Sequence, residues 1–150
     1  MNNLVVQKYG GTSVANTERF QAVADIVVDS INDGVNVAVV VSAMAGETQR
    51  LIDLAKEIQA EPDPREFDAL VSSGEQVSAA LLAIALKERN FLSKSYTAHQ
   101  LGLKTDNVHG KARINSMNID SLKRDIESGI VPVITGFQGI NTQGDITTLG

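Results

Sequence analysis

Apolar residues are grouped along this chain in two ways, and the alternation between them predicts its architecture. Leu4 to Lys8, Val35 to Ser42 and Ile130 to Thr135 are short runs rich in Val and Ile. None alternates with polar residues, which is the pattern of strands buried on both faces of a parallel sheet. Leu92 to Thr97 is a weaker strand of the same kind. Between these runs, apolar positions recur at helical spacing. Phe20, Val23, Ala24, Val27 and Ile31 form one face, with Asn16 as N-cap and Gly34 as terminator. Leu51, Ile52, Leu54, Ala55 and Ile58 mark a second helix that ends before Pro62 and Pro64. A third, longer helix runs from Arg65 to Glu88, carrying Phe67, Leu70, Val71, Val77, Leu81 and Ile84 on one face, with Gly74 as a break. A fourth covers Ile119 to Glu127 and stops at Gly129. Leu103 to Ser116 is polar and irregular, a long loop or a small sheet extension. Phe137 to Thr148 reads as a hairpin turning at Gln143-Gly144. Strand and helix signals alternate, so the expected class is α/β with a mostly parallel sheet.

Composition narrows the function classes. The 150 residues suit one domain, with no internal repeat, low-complexity tract or linker. A formal net charge of -5 argues against nonspecific nucleic-acid binding, which needs a basic surface. The absence of cysteine excludes disulfides, thiolate metal sites and thiol nucleophiles. Met1 to Leu4 lacks the basic-then-apolar form of a leader, and the apolar runs look shorter than the roughly 20 residues of a membrane helix. The expectation is a cytoplasmic protein with no membrane partner. Trp is absent and aromatics are 4%, which leaves no stacking platform for single strands.

Candidate chemistry gathers at strand ends. Lys8 closes the first strand, at the carboxyl edge where open α/β sheets bind ligands. Gly10 and Gly11 follow, and without Cβ atoms they let backbone N–H groups approach an anion. The helix beginning near Asn16 would add its positive end. The same turn also reads as a plain strand-to-helix connection, and it matches neither common glycine-rich nucleotide motif. Ser42 to Thr48 ends the second strand with small residues, a glycine and two hydroxyls; Thr48 is also a routine helix-start residue. Glu75 stands beside Gly74 in an apolar helix, either as counter-ion to a ligand ammonium or on a solvated face. His99 and His109 fit no zinc spacing and are assigned surface or loop-packing roles; Asp106/His109 and Arg113/Asp120 read as solvated pairs. No metal-ligand set is apparent.

Taken in order, VVQKYGGTSV at 5–14, VVVSAMAGET at 39–48, LVSSGEQVSAALLA at 70–83, HGKARI at 109–114, GFQG at 136–139 and DITTLG at 145–150 resemble the aspartate kinases of the amino-acid kinase superfamily. The resemblance spans essentially the whole chain. It implies a three-layer αβα sandwich of the amino-acid (carbamate kinase-like) kinase fold, truncated, with residues 1–150 as the substrate-binding portion. It implies transfer of the ATP γ-phosphoryl group to the side-chain carboxylate of L-aspartate, opening the route to lysine, threonine and methionine. Lys8, Tyr9, Gly10 and Gly11 would meet the transferring phosphoryl group, with Lys8 catalytic. Ser42 would lie near the nucleotide phosphates, and Thr48 and Glu75 would bind aspartate. ATP with Mg²⁺ is the implied co-substrate, and no tightly bound cofactor is expected.

Family members continue past the TTLG motif with an Arg-Gly-Gly-Ser-Asp stretch, a nucleotide half and regulatory ACT domains. The resemblance therefore implies a fragment, inactive or nearly so alone. Two alternatives stand beside it: a non-catalytic, self-associating module, and another amino-acid kinase such as one for acetylglutamate. Association into a homo-oligomer is expected, because a truncated sheet exposes an edge and apolar surface.

Overall fold

The computed structural model describes residues 3–150. Four parallel strands form the main sheet: β1 (Leu4–Tyr9), β2 (Asn36–Val41), β3 (Ser93–Tyr96) and, after two short strands, β6 (Val131–Thr135), in the order β1-β2-β6-β3. Val37, Val39 and Val41 of β2, with Val131 and Val133 of β6, face α1 (Thr17–Asn32) and α4 (Ser73–Glu88). Phe20, Val23, Ala24 and Val27 interlock there with Ala79, Leu82, Ala83 and Leu86 to form the main core. On the opposite face, Ile134 and Tyr96 meet Leu101 and Leu122, the last from α5 (Asp120–Glu127). Helix, sheet and helix thus make three layers. α1 begins as its sequence directs, with the Asn16 side chain accepting the Arg19 N–H at 2.9 Å.

A second small sheet, ordered β5-β4-β7-β8, joins β4 (Lys104–Thr105), β5 (Ile114–Ser116), β7 (Gln138–Ile140) and β8 (Ile146–Thr148). The polar stretch before Ser116 is therefore a sheet extension. β7 and β8 are the expected hairpin, antiparallel, with Gly144 at φ +84 in the turn. Gly139 is fixed by close packing: a Cβ there would stand 2.3 Å from Thr105 Cγ2. Thr105 Oγ1 and Thr147 Oγ1 hydrogen-bond at 2.7 Å beside it. Gly139→Ala is expected to destabilise the fold by about 1–3 kcal/mol through overpacking, seen as a lower urea midpoint at unchanged slope.

Two expectations need correction. β1 is an edge strand, with Leu4, Val5 and Val6 38%, 43% and 62% exposed, so it is not buried on both faces. An open apolar groove of about 500 Å³ runs along this side, lined by Val6, Val40, Ile126 and Ile134 among others. The long third helix is two helices, α3 (Pro64–Val71) and α4, divided at Ser72 rather than at Gly74. Pro64–Glu88 is long and apolar enough, by length and composition, to cross a membrane, contrary to the shorter runs counted above. In the fold it is broken at Ser72 and packs its inner side on the sheet, carrying buried Asp68 and Glu75.

Candidate functional site

The carboxyl ends of β1, β2 and β6 open into one cleft of about 640 Å³. Lys8 reaches it from β1, and Gly11 from the 3₁₀ turn Gly11–Val14 that follows. Ser42 to Gly46 bring the chain from β2 to α2 (Glu47–Ile58), which contributes Thr48, Gln49 and Ile52. Glu75 comes from the first turn of α4, and Gly136, Phe137, Leu149 and Gly150 close the far side. Five of the residues singled out in the sequence, Lys8, Gly11, Ser42, Thr48 and Glu75, therefore share one cavity. Tyr9 and Gly10 adjoin it without lining it. The Tyr9 hydroxyl donates to Gln7 Oε1 at 2.8 Å, and its ring packs against the main core. Burial pushes its phenol pKa above the ordinary value.

Close backbone approach shapes this cleft. A Cβ on Gly11 would lie 3.1 Å from the Ala43 carbonyl oxygen, and one on Gly74 would lie 2.7 Å from the Ala43 Cβ. Two glycines thus let the first turn and the start of α4 press onto the end of β2. Gly10 has open space around its Cβ position. α1 begins only at Thr17, beyond the 3₁₀ turn, with Asn16 capping it. The start of α2 adjoins the cleft, as does the first turn of α4 that carries Glu75. No side chain caps α2, and Gly46 precedes it at φ +79. Its first-turn amides and the Thr48 hydroxyl form a positive, donor-rich rim suited to a carboxylate or phosphate.

Glu75 is the acidic feature of the cavity floor. It is 3% exposed, and its Oε1 accepts the Ala43 N–H at 3.1 Å. Its Oε2 has no hydrogen-bond partner among the described residues. Burial raises its pKa above the ordinary 4.5, while the Ala43 N–H and its own backbone N–H pull the other way. Lys8 is exposed and joins no ion pair among the described residues. At the mouth, Glu47 pairs with Arg50 at 2.7 Å, which holds the Glu47 carboxyl below its ordinary range. The cleft thus offers an unspent cation, an uncapped helix start and a buried carboxylate with one free oxygen. That combination fits a small ligand carrying both carboxylate and ammonium groups.

Mg²⁺ does not find a ligand set here. Among the described residues no three His, Asp or Glu side chains converge as metal ligands, and the floor carboxylate is already tied to Ala43.

One buried polar hub escaped the sequence reading. Asp68 on α3 is 1% exposed and accepts four hydrogen bonds. They come from Thr148 Oγ1 at 2.7 Å, Thr148 N–H at 3.1 Å, Gly110 N–H at 3.1 Å and His109 Nδ1 at 2.7 Å. His109 is thus a packing residue, with Asp68 rather than Asp106 as its partner. Asp106 instead accepts the Val108 and Arg113 N–H groups. Gln138 makes a similar tie, with Oε1 accepting the Ala98 N–H and Nε2 donating to the Ser72 carbonyl. The signal for Asp68 was faint: an acid set between Phe67 and the apolar Ala69-Leu70-Val71.

A sequence model described as the amino acid kinase family matches residues 3–150. The chain is 52% identical over 147 residues to an aspartate kinase from Stutzerimonas stutzeri, covering 98% of this chain and 36% of that protein. It is 50% identical over 147 residues to an aspartokinase from Pseudomonas aeruginosa, with the same two shares, 98% and 36%. Among solved structures it superposes on Escherichia coli aspartokinase III in complex with aspartate and ADP, with TM-score 0.85 and 25% identity, over 99% of this chain and 44% of that one. It also superposes on the aspartate kinase from Synechocystis, with TM-score 0.83 and 41% identity, over 98% and 24% of the two chains. The chain therefore spans about 36% of the length of the curated relatives it matches.

Proposed function

The chain belongs to the amino acid kinase family, and from that membership we propose that it is the aspartate-binding portion of an aspartate kinase. The observation that carries this reading is the Glu75 carboxylate, buried at the cleft floor with Oε1 held by Ala43 and Oε2 free. A buried charge of this kind calls for a charged partner, and the ammonium group of an amino acid supplies one. The Thr48 hydroxyl and the uncapped start of α2 receive a carboxylate of the same molecule. Lys8, with Gly11 and Ser42 beside it, meets the phosphoryl group of ATP; Tyr9 and Gly10 hold the turn that presents Gly11. ADP accompanies aspartate in the solved aspartokinase III complex, in keeping with ATP as the donor.

The chemistry asks little of acid–base catalysis. An aspartate side chain has an ordinary pKa of about 3.9 and is an anion at neutral pH. Its oxygen attacks the γ-phosphorus, the bond to the bridging oxygen of ADP breaks, and an acyl phosphate and ADP result. No proton must be removed, so no catalytic histidine is needed. The obstacle is repulsion between two anions, which positioning and a cation at Lys8 reduce. Mg²⁺ accompanies the nucleotide in this proposal, and residues 1–150 alone bind aspartate without turnover. A cytoplasmic location is part of it. Homo-oligomer formation is too, favoured by exposed Leu4, Val5 and Val6 on the β1 edge. Sedimentation over a range of concentrations tests that point, and a strict monomer counts against it.

The test of the acceptor is a calorimetric titration of the intact protein with aspartate and with succinate, which lacks the amino group. Aspartate should bind at least about tenfold more tightly, given the strength of charged hydrogen bonds. Equal affinities would remove Glu75 from its proposed role.

A pH dependence follows from the raised Glu75 pKa. Only the ionised form attracts an ammonium group. Aspartate affinity should therefore rise as pH rises from the ordinary 4.5 through the folded-state value, then level off. Within that window binding should release protons, measured by calorimetry in buffers of different ionisation heat. For the unliganded fold the sign is opposite. A carboxyl with a raised folded pKa contributes stability present at low pH and lost as pH rises through that value. Affinity that stayed flat from pH 4.5 upward would contradict the assignment.

A further inference from the structure

We infer that the outer face of α4 is the interface through which two copies of this chain associate; the inference rests on the homo-oligomer reading above and locates its contact surface. A helix that lies on a sheet is expected to turn polar residues outward. α4 departs from this. Its inner side buries Ala79, Leu82, Ala83 and Leu86 in the main core. Its outer side carries Val77, 50% exposed, and Ile84, 63% exposed, with exposed Ala80 and half-buried Leu81 between them. These four positions follow helical spacing and form one stripe. Polar residues reach the stripe only at its ends, Ser73 and Gln76 at one and Lys87 and Glu88 at the other. A helix apolar on both sides belongs in an interior, and the sheet covers only one side of this one.

The face is self-complementary. At the level of Ile84, a hollow of about 310 Å³ lies between α4 and α1, lined by Phe20, Leu81, Ile84 and Ala85 among others. A second, of about 270 Å³, lies between α4 and β3, lined by Ala80, Ala83, Ile84 and Lys94 among others. Val77 lines neither and stands about 10 Å before Ile84 along the helix. A second α4, laid antiparallel and turned about a point between Ala80 and Leu81, brings Val77 of each copy to the level of Ile84 on the other. A raised side chain meets a hollow twice, as a twofold interface requires. Ala80, the smallest side chain of the stripe, falls at the crossing, where two helices approach most closely.

Charge selects the same arrangement. A parallel pair would set Lys87 against Lys87 and Glu88 against Glu88. The antiparallel pair sets Glu88 against Ser73, at the positive start of the other helix. Area sets the strength. A face as long as α4 and two helix widths across covers roughly 500 Å² per copy, against about 800 Å² for a standard specific interface. The dimer is therefore weak and assembles as concentration rises. Neither hollow shares a residue with the cleft, so aspartate binding proceeds in either state. The groove beside β1 differs on this point, since Lys8, Gly136, Phe137 and Leu149 line both it and the cleft. A copy seated there would crowd the ligand.

The test is sedimentation of the intact protein over a range of concentrations, for the unaltered chain, Ile84→Glu and Val6→Glu. The unaltered chain should pass from monomer to dimer. Ile84→Glu should weaken dimerisation at least about tenfold, because it puts an unpaired carboxylate into the contact twice. Its urea midpoint should stay unchanged, as for other exposed positions. Val6→Glu, on the β1 edge, should dimerise like the unaltered chain. Ala80→Cys checks the register, since the chain has no cysteine of its own. Two copies of that variant should form a disulfide at the crossing under mild oxidation, seen as a dimer on a non-reducing gel. Dimerisation lost in Val6→Glu and kept in Ile84→Glu overturns the location and leaves the homo-oligomer reading standing. A strict monomer at every concentration overturns both. Should Ile84→Glu fail to fold, the Ala80→Cys cross-link decides, and its absence overturns the inference.

Discussion

Replacing Glu75 with glutamine is expected to remove aspartate binding while leaving the fold at least as stable as before. The two side chains have the same shape. The glutamine carbonyl can keep accepting the Ala43 N–H, which the carboxylate accepts at 3.1 Å. The amide nitrogen then takes the position of Oε2, where the protein offers no partner. Holding a charge in that buried place is unfavourable, as its raised pKa records, and the amide removes the charge. Stability should therefore stay level or rise, measured as the urea midpoint. For a ligand the change is adverse in two ways. The ion pair is gone, and the ammonium now faces N–H groups that can only donate. Truncating one partner of a buried charge pair costs about 2–5 kcal/mol, or roughly thirtyfold to several thousandfold in affinity. A residue kept only for the fold would show the reverse, with lower stability and unchanged binding. Loss of stability together with intact aspartate affinity would falsify the assignment.

Much of this arrangement was legible in the chain because it follows from local periodicity. The Val-rich runs became β2 and β6, Asn16 became the cap of α1, and Gln143-Gly144 became the turn between β7 and β8. Five residues chosen at strand ends and at the glycine beside Glu75 met in one cleft, as the topology of a parallel sheet requires. The misreadings have a common origin in what long-range packing adds. An apolar run does not state what covers it: the sequence predicts a strand buried on both faces at Leu4 to Lys8, whereas β1 lies at the sheet edge with Leu4, Val5 and Val6 exposed. Gly74 was taken for a helix break, yet it lies inside the first turn of α4 and is required by contact with Ala43, 31 positions away in sequence. Asp68 spoke only through its place on an apolar helix, and its four donors come from segments 41 to 80 residues distant.

Asp68→Ala is expected to be the most damaging single change to the fold, at about 3–5 kcal/mol. A small domain has about 5–15 kcal/mol in all, so the loss is a large share of it. The alanine leaves the Thr148 N–H and hydroxyl, the Gly110 N–H and the His109 ring nitrogen without their acceptor at once. Thr148 is itself 2% exposed, so water cannot readily replace the carboxylate there. Asp68→Asn separates charge from geometry. Oδ2 serves three donors, His109 Nδ1, Gly110 N–H and Thr148 N–H, and the asparagine oxygen can occupy that position. Its nitrogen then faces Thr148 Oγ1, whose hydroxyl turns to accept. The asparagine variant should therefore lose only about 1–2 kcal/mol, the extra strength that an ionised acceptor gives. Chemical denaturation of the two variants gives the comparison, and amide exchange at Gly110 and Thr148 locates it. Equal losses would show that the charge rather than the bonding pattern holds the hub together. The consequence reaches the cleft, because Thr148 leads directly into Leu149 and Gly150 on its wall. Asp68→Ala should thus weaken aspartate and succinate binding alike, in contrast to Glu75→Gln, which should spare succinate.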